Sequence, residues 1–286
     1  MIPAAFDYAA PSSLDEAIEL LQQHADEAKL LAGGHSLLPL MKLRLAVPGV
    51  LIDLGRIPDL AYIRDQGDHV AIGAMTTHHT LESSELLRQR IPLLAQAAGL
   101  IGDMQVRNRG TVGGSLAHAD PAGDLPSVVT ALDGQIVARG PGGERNIAAQ
   151  DFFLDIWTSA LNPDEVVTEI RLPYSQGTPA QAYEKFRQRA CDWALVGVAV
   201  NLTRDNGTIG NASIVLTNVG TTARRAEGVE RALEGQPATA ETVQAAAELA
   251  SEGLEPSAEL KASPDYKRHL ARVLTRRALE TALQLT

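Results

Sequence analysis

Arg109-Gly110-Thr111-Val112-Gly113-Gly114-Ser115-Leu116-Ala117-His118-Ala119-Asp120-Pro121-Ala122-Gly123-Asp124, followed by the apolar run Leu125 to Leu132, is the stretch that decides the fold. A Gly-Gly pair after a short β-like segment lets the backbone approach a ligand closely, and unobstructed amides suit an anion such as a pyrophosphate. Taken alone, the same residues also read as a tight turn between strand and helix. A second Gly-Gly stands in a matching context upstream, Leu30-Leu31-Ala32-Gly33-Gly34-His35-Ser36, with Pro39 near the start of a helix-like segment. Two such turns, each at a strand end and far apart in sequence, can close on the two phosphates of one dinucleotide, and together they outweigh the turn reading.

The 286 residues suffice for two domains or one large one, and the net charge of −10 offers no basic field for a nucleic acid. No apolar run reaches the roughly 20 residues that cross a bilayer, and the N-terminus lacks a signal-peptide pattern, so no transmembrane segment and a cytoplasmic location are expected. The single cysteine, Cys191, excludes an intrachain disulfide and an all-cysteine iron–sulfur site built from this chain alone. Redox chemistry would need an organic cofactor or a partner's metals. Cys191 itself reads as a small filler at the start of a strand-like run.

In chain order, Ser13-Leu14-Asp15-Glu16 has the form of a capping box before an amphipathic helix, and Ala28 to Ala32 reads as a buried strand. Strands are expected at Val50 to Asp53, Val70 to Gly73, Gln135 to Arg139 and Val166 to Leu172, and helices at Leu81 to Leu87, Pro92 to Ile101 and Ser127 to Leu132, the last opened by Pro126. Pro173 to Gln181 has linker composition. Beyond it, Ala194 to Leu202 alternates and is followed by Asp205-Asn206-Gly207 and Ile209 to Leu216, the pattern of a β-hairpin. Helices are expected over Ala223 to Leu233, Thr239 to Ser251 and Asp265 onward. Arg268, Arg272 and Arg276 share one face of the last, a solvated face or a docking face for an acidic partner.

The turn Ala32-Gly33-Gly34-His35-Ser36, the segment Thr111-Val112-Gly113-Gly114-Ser115 with Asp120 to Asp124, and Tyr183-Glu184-Lys185 followed by Asp192-Trp193-Ala194 together resemble the FAD-binding medium subunit of molybdenum hydroxylases, the carbon monoxide dehydrogenase and xanthine dehydrogenase family. The likeness runs over nearly the whole chain. It implies an α+β fold: a two-lobed FAD-binding domain of the vanillyl-alcohol-oxidase type over residues 1–176 (lobes of about 1–54 and 55–176), then a smaller α+β domain over 177–286 with a three-stranded antiparallel sheet and helices. It implies noncovalent FAD with its pyrophosphate wrapped by the backbones of Ala32, Gly33, Gly34, His35 and Ser36 and of Thr111, Val112, Gly113, Gly114 and Ser115. Asp124 would hydrogen-bond the cofactor, Leu161 would touch it through its backbone, and Lys185 and Trp193 would lie at the flavin. Val112 stands where relatives usually carry isoleucine, and Ser115 where asparagine or aspartate is common. His35 in a Gly-Gly-His setting is also the position at which berberine-bridge-type flavoenzymes bond their flavin covalently. His78, His79 and His118 have no metal-ligand spacing, and no metal site is expected.

The resemblance further implies a heterotrimer, in turn a dimer of heterotrimers, in which a large subunit carries the molybdenum cofactor and a small subunit the [2Fe–2S] clusters. This chain would pass electrons from those clusters to an external acceptor and hold no residue catalytic for the substrate. A self-sufficient FAD oxidase of the same fold is the alternative, and a scaffold subunit that has lost its flavin a third. A nicotinamide Rossmann protein is disfavoured because no GxGxxG opens the first βα turn.

Overall fold

A computed structural model describes residues 1–285. The chain begins with a three-stranded parallel sheet in which Val50–Asp53 lies between Asp7–Ala9 and Ala28–Leu31. The connection between the two outer strands is the helix Leu14–His24, whose Ala17, Ile18 and Leu21 recur at helical spacing and are buried against the sheet. Ser13 caps this helix by accepting from the Glu16 amide, and the Glu16 carboxylate accepts in return from the amide of Ser12 at 2.8 Å, one residue earlier than in the usual reciprocal box. All three strands run the same way, so Asp53 and the turn Ala32 to Ser36 emerge from one end of the sheet.

Five antiparallel strands follow, in the order Ile63–Asp65, His69–Gly73, Val166–Pro173, Gln135–Gly140 and Gly143–Ala148. Helices Pro92–Gly99 and Asp124–Ala131 bury Leu93, Leu94, Leu125, Val128 and Val129 in one core with Val70, Ile72, Ile136, Ile170 and Leu172 of this sheet. The helix expected over Leu81 to Leu87 is two helices. Thr77 caps His78–Ser83, and Ser84, extended at ψ 118° with its hydroxyl accepting from the Leu87 amide, interrupts the run and starts Glu85–Arg90. Likewise the helix expected to open at Pro126 begins at Asp124. Proline is tolerated in the first turn, where its missing N–H has no partner to lose.

The third sheet is antiparallel: Thr178–Phe186, Val196–Asp205 and Thr208–Thr217 are long, and the two-residue strand Arg224–Arg225 pairs at the far edge. It is covered on both faces. Ala182, Val198, Val200, Ile214 and Leu216 face the helices of the C-terminal half, among them Pro264–Leu283, whereas the cross-strand row Tyr183, Ala199 and Val215 joins the core beneath Pro92–Gly99 and Asp124–Ala131. Burial of both faces explains why the central strand is nearly continuously apolar instead of alternating with polar residues.

Two boundaries differ from the sequence expectation here. The linker is shorter than Pro173 to Gln181, because the strand starts at Thr178; Pro179 fits on this edge strand, and its neighbour Thr178 pairs with Arg204. The helix expected from Ala223 begins at Glu227, because Arg224 and Arg225 are drawn into pairing with Leu216 and Val215. Cys191 is not a filler: it is exposed in the turn between the first two strands of this sheet. The arginine stripe is not a free basic face either, since Arg268 pairs with Asp265, Arg272 with Glu248 and Arg276 with Glu280.

Candidate functional site

The strand Ala28–Leu31 delivers Gly33 and Gly34 into a turn, with Gly34 at φ +77°, a left-handed conformation that favours glycine. The second Gly-Gly is not in a loop. Thr111 caps the helix Val112–His118 with its side chain accepting from the Gly114 amide, so Gly113 and Gly114 form the helix's first turn. The two motifs touch. A Cβ on Gly33 would lie 2.2 Å from the Arg109 carbonyl oxygen and 2.7 Å from the Gly110 Cα, and one on Gly114 would lie 3.5 Å from the Ala32 Cβ. Only glycine at position 33 permits this backbone-to-backbone approach.

Their hydrogen-bonding differs. In the second motif the amides are engaged internally: Val112 donates to the Thr76 carbonyl, Gly113 to Ala74, Gly114 to the Thr111 hydroxyl and Ser115 to the Thr111 carbonyl. Among the described residues, the amides of Gly33, Gly34, His35 and Ser36 donate to no protein acceptor. A turn of partly exposed, uncommitted N–H groups pressed against a Gly-rich helix start is chemically fitted to a phosphate ester. Behind it lies His78, 4 % exposed, with its ring against Gly110. Burial, with smaller contributions from His35 and Arg107, lowers its pKa to about 4, so this imidazole is neutral at physiological pH.

A second cluster stands at the start of Asp124–Ala131. One Asp124 carboxylate oxygen accepts from the Tyr183 hydroxyl at 2.7 Å and the other from Lys185 Nζ at 2.7 Å; Lys185 also donates to the Leu100 carbonyl at 3.2 Å. Asp124 and Lys185 are both almost wholly buried. Burial pushes the Asp124 carboxyl up, and Lys185 and Tyr183 oppose it. Burial also holds the Tyr183 phenol well above its ordinary pKa, so it remains a donor. Gly197 makes room for that hydroxyl, because a Cβ there would lie 2.6 Å from it. Ser127 and Thr217 hydroxyls close the cluster at 2.6 Å from each other. Gln96 clamps the outer edge of the Tyr183 strand by accepting from its amide at 3.0 Å and donating to its carbonyl at 3.2 Å, which covers an otherwise open edge.

Of the residues singled out in the sequence, the structure thus joins Ala32 to Ser36 with Thr111 to Ser115 in one group, and Asp124 with Lys185 in another. Ser115 is half-buried and its hydroxyl makes no hydrogen bond among the described residues. Leu161 is fixed between neighbours: Arg145 donates to the Ala160 carbonyl and bidentately to Glu165, which in turn accepts from the Asn162 amide. Trp193 is 59 % exposed in the turn between Thr178–Phe186 and Val196–Asp205. No hydrogen bond or ion pair among the described residues joins Leu161 or Trp193 to either group. A cleft of about 440 Å³ between the start of the helix Leu14–His24 and the five-stranded sheet, lined by Ser13, Tyr62, Arg139, Glu169 and Arg171, contains none of the candidate cofactor-binding residues, and its arginines are paired with Asp15 and Glu169.

Sequence reasoning gave no role to Tyr183, Gln96, Asn218 or Lys267. For Lys267 a signal existed: it falls in register with Leu270, Ala271, Leu274 and Ala278, a cation on the apolar stripe of its helix.

Comparison with known proteins adds two family matches. Residues 4–175 match the FAD-binding domain in molybdopterin dehydrogenase and residues 181–282 match the CO dehydrogenase flavoprotein C-terminal domain. The chain is 48 % identical over 283 residues to the carbon monoxide dehydrogenase medium chain of Hydrogenophaga pseudoflava, covering 99 % of this chain and 98 % of that one. It is 39 % identical over 282 residues to the corresponding chain of Afipia carboxidovorans, with the same coverages of 99 % and 98 %. Among solved structures it superposes with a TM-score of 0.97 on a chain of the Hydrogenophaga pseudoflava carbon monoxide dehydrogenase that lacks the Mo-pyranopterin moiety of its cofactor, at 48 % identity and 99 % coverage of each chain.

Proposed function

Because this chain belongs to the family of FAD-binding medium subunits of carbon monoxide dehydrogenase-type molybdenum hydroxylases, we propose that it is the flavoprotein subunit through which such an oxidoreductase passes electrons to an external acceptor. The observation that carries this reading is the contact between the two Gly-Gly motifs, which sets four uncommitted amides, those of Gly33 to Ser36, against a surface that side chains would close.

In this reading Ala32 to Ser36 and Thr111 to Ser115 hold the FAD pyrophosphate. The first motif supplies amides; the second supplies close packing and the hydroxyl of Ser115. Asp124 and Lys185 hold the flavin end, with Leu161 and Trp193 beside it. Lys185 serves Asp124 and the Leu100 carbonyl and retains one ammonium proton to donate. FAD bound there would supply a centre that accepts electrons singly and releases them as a pair. The chain's one cysteine cannot furnish the thiolates of an iron–sulfur cluster, so the relay and the molybdenum cofactor are assigned to a small and a large partner subunit in a heterotrimer. Residues 1–176 form the FAD-binding domain and 177–286 the C-terminal domain. The Asp124–Lys185 pair spans the two, which favours a flavin held at their junction.

Purified protein is expected to be yellow, and acid precipitation to release the flavin into the supernatant. Flavin retained in the pellet would point to covalent attachment at His35, and a colourless protein that does not take up FAD would overturn the reading. In stopped flow, substrates of the assembled enzyme should bleach the flavin only when both partners are present. Rapid bleaching of the isolated chain would favour the self-sufficient oxidase.

A further inference from the structure

Trp193 sits in an exposed turn, yet that turn is tied down from a distant part of the chain. Asn218 follows the strand Thr208–Thr217 in a left-handed conformation, φ +61°, which points its amide side chain back toward the turn. Its Nδ2 donates to the carbonyl of Ala194 at 2.8 Å, and its backbone amide donates to the carbonyl of Pro121 at 2.9 Å. One residue therefore bonds both the neighbour of Trp193 and the segment that leads into Asp124.

Asn218 is in turn held by Lys267. This side chain, 1 % exposed on the helix Pro264–Leu283, donates from Nζ to the Asn218 carbonyl at 3.1 Å and to the carboxylate of Glu259. Glu259 also accepts from Asn218 Nδ2 at 3.1 Å. The strap that carries Glu259 makes a second bond to the turn, from Lys261 Nζ to Asp192 at 2.9 Å, and Tyr266 packs edge-on against Phe186 at its base. A buried ammonium with only one carboxylate and one carbonyl is costly unless both partners stay in place.

We propose that Lys267, Glu259 and Asn218 form a clasp whose role is to fix the Trp193 turn against the Pro121 to Asp124 segment. They are positioning residues for the flavin end of the site, although Lys267 and Glu259 lie in the C-terminal helix and strap. This rests on the reading of Trp193 as a flavin-side residue. The fixing of the turn can nevertheless be measured without FAD.

The test uses the full chain with Trp157→Phe, which leaves Trp193 as the single tryptophan. Lys267→Met and Asn218→Gly are made in that background; glycine accepts the left-handed backbone and removes only the side-chain bonds. In apoprotein shown to be folded by circular dichroism, both variants should lower the fluorescence anisotropy of Trp193 and raise its acrylamide quenching. If Lys267→Met does not fold, Asn218→Gly decides alone. In the FAD-loaded protein, loss of these charge-assisted bonds should weaken FAD binding about tenfold and shift the flavin midpoint potential. Unchanged Trp193 anisotropy and quenching in the folded apo variants would overturn the clasp. Absence of FAD quenching of Trp193 in the parent protein would instead count against the flavin placement proposed above, a separate result from the apo measurement.

Discussion

Gly33 and Gly34 lie in an open turn with one residue in the left-handed region, whereas Gly113 and Gly114 lie in the first turn of a helix and neither is left-handed. The dipeptide is the same, but the reasons for it differ. In the first, glycine permits a backbone conformation and a contact with Arg109 and Gly110, and leaves the amides free. In the second, the amides of Gly113 and Gly114 are consumed by Ala74 and Thr111, and glycine is needed at position 113 because Ala74 leaves no room for a Cβ. A Gly-Gly pair in a sequence thus marks close approach, but what approaches is decided by which atoms the fold brings there.

Four substitutions or conditions test this contrast. The largest effect is expected from Gly33→Ala. Its Cβ would lie 2.2 Å from a backbone carbonyl that cannot rotate away, so the two motifs must separate, with a stability loss of about 3 kcal/mol in urea unfolding and loss of FAD binding. A loss below about 1 kcal/mol would mean that the two segments are not in the tight contact described.

Gly113→Ala should cost about 2 kcal/mol, because its Cβ would lie 2.5 Å from the Ala74 Cβ and 2.9 Å from the Ala74 carbonyl oxygen. Adding Ala74→Gly removes the nearer of those atoms and should restore part of the loss. Strict additivity of the two changes would show that they do not meet.

His78, packed behind Gly110, gives a pH-dependent version of the same comparison. Its folded pKa of about 4 lies below the unfolded value of 6.5, so the unfolded chain binds the extra proton between them. Its contribution is full above about pH 6.5 and is lost as pH falls toward 4, amounting to about 2 kcal/mol between pH 7 and pH 5. Urea midpoints of the parent and of His78→Gln at the two pH values measure it. A variant with the parent's full acid sensitivity would assign the effect to other groups.

The smallest stability effect is expected at Gly114. An alanine there meets Ala32 at an ordinary 3.5 Å, and its one short contact, 2.8 Å, is with the rotatable hydroxyl of its own capping residue Thr111. Gly114→Ala should therefore cost about 1 kcal/mol, the loss of the Thr111 cap as its hydroxyl turns aside, while weakening FAD binding, because its methyl occupies the side facing the first motif. A destabilisation as large as that of Gly113→Ala would remove the distinction between the two positions.

The amino-acid sequence by itself determined the elements whose signals are local. Ser13 with Glu16 fixes the first helix, Asp205-Asn206-Gly207 turns the hairpin with Asn206 and Gly207 both left-handed, and the order of the three motifs carries the family likeness. The paired glycines also marked two places where backbone can approach closely, whereas Asp124 and Lys185 stood out only through the family likeness. Tertiary structure alone decided which amides remain free, that Asp124 and Lys185 meet 61 residues apart under Tyr183, and that Lys267 holds Asn218 across the C-terminal half. It also decided that Val196–Asp205 is covered on both faces and that Arg224 and Arg225 join a strand instead of a helix. The physical reason is common to these cases. Capping, turns and periodicity act within a few residues of chain, whereas a free amide, a buried ion pair or a doubly covered strand is defined by the atoms that distant segments bring to it.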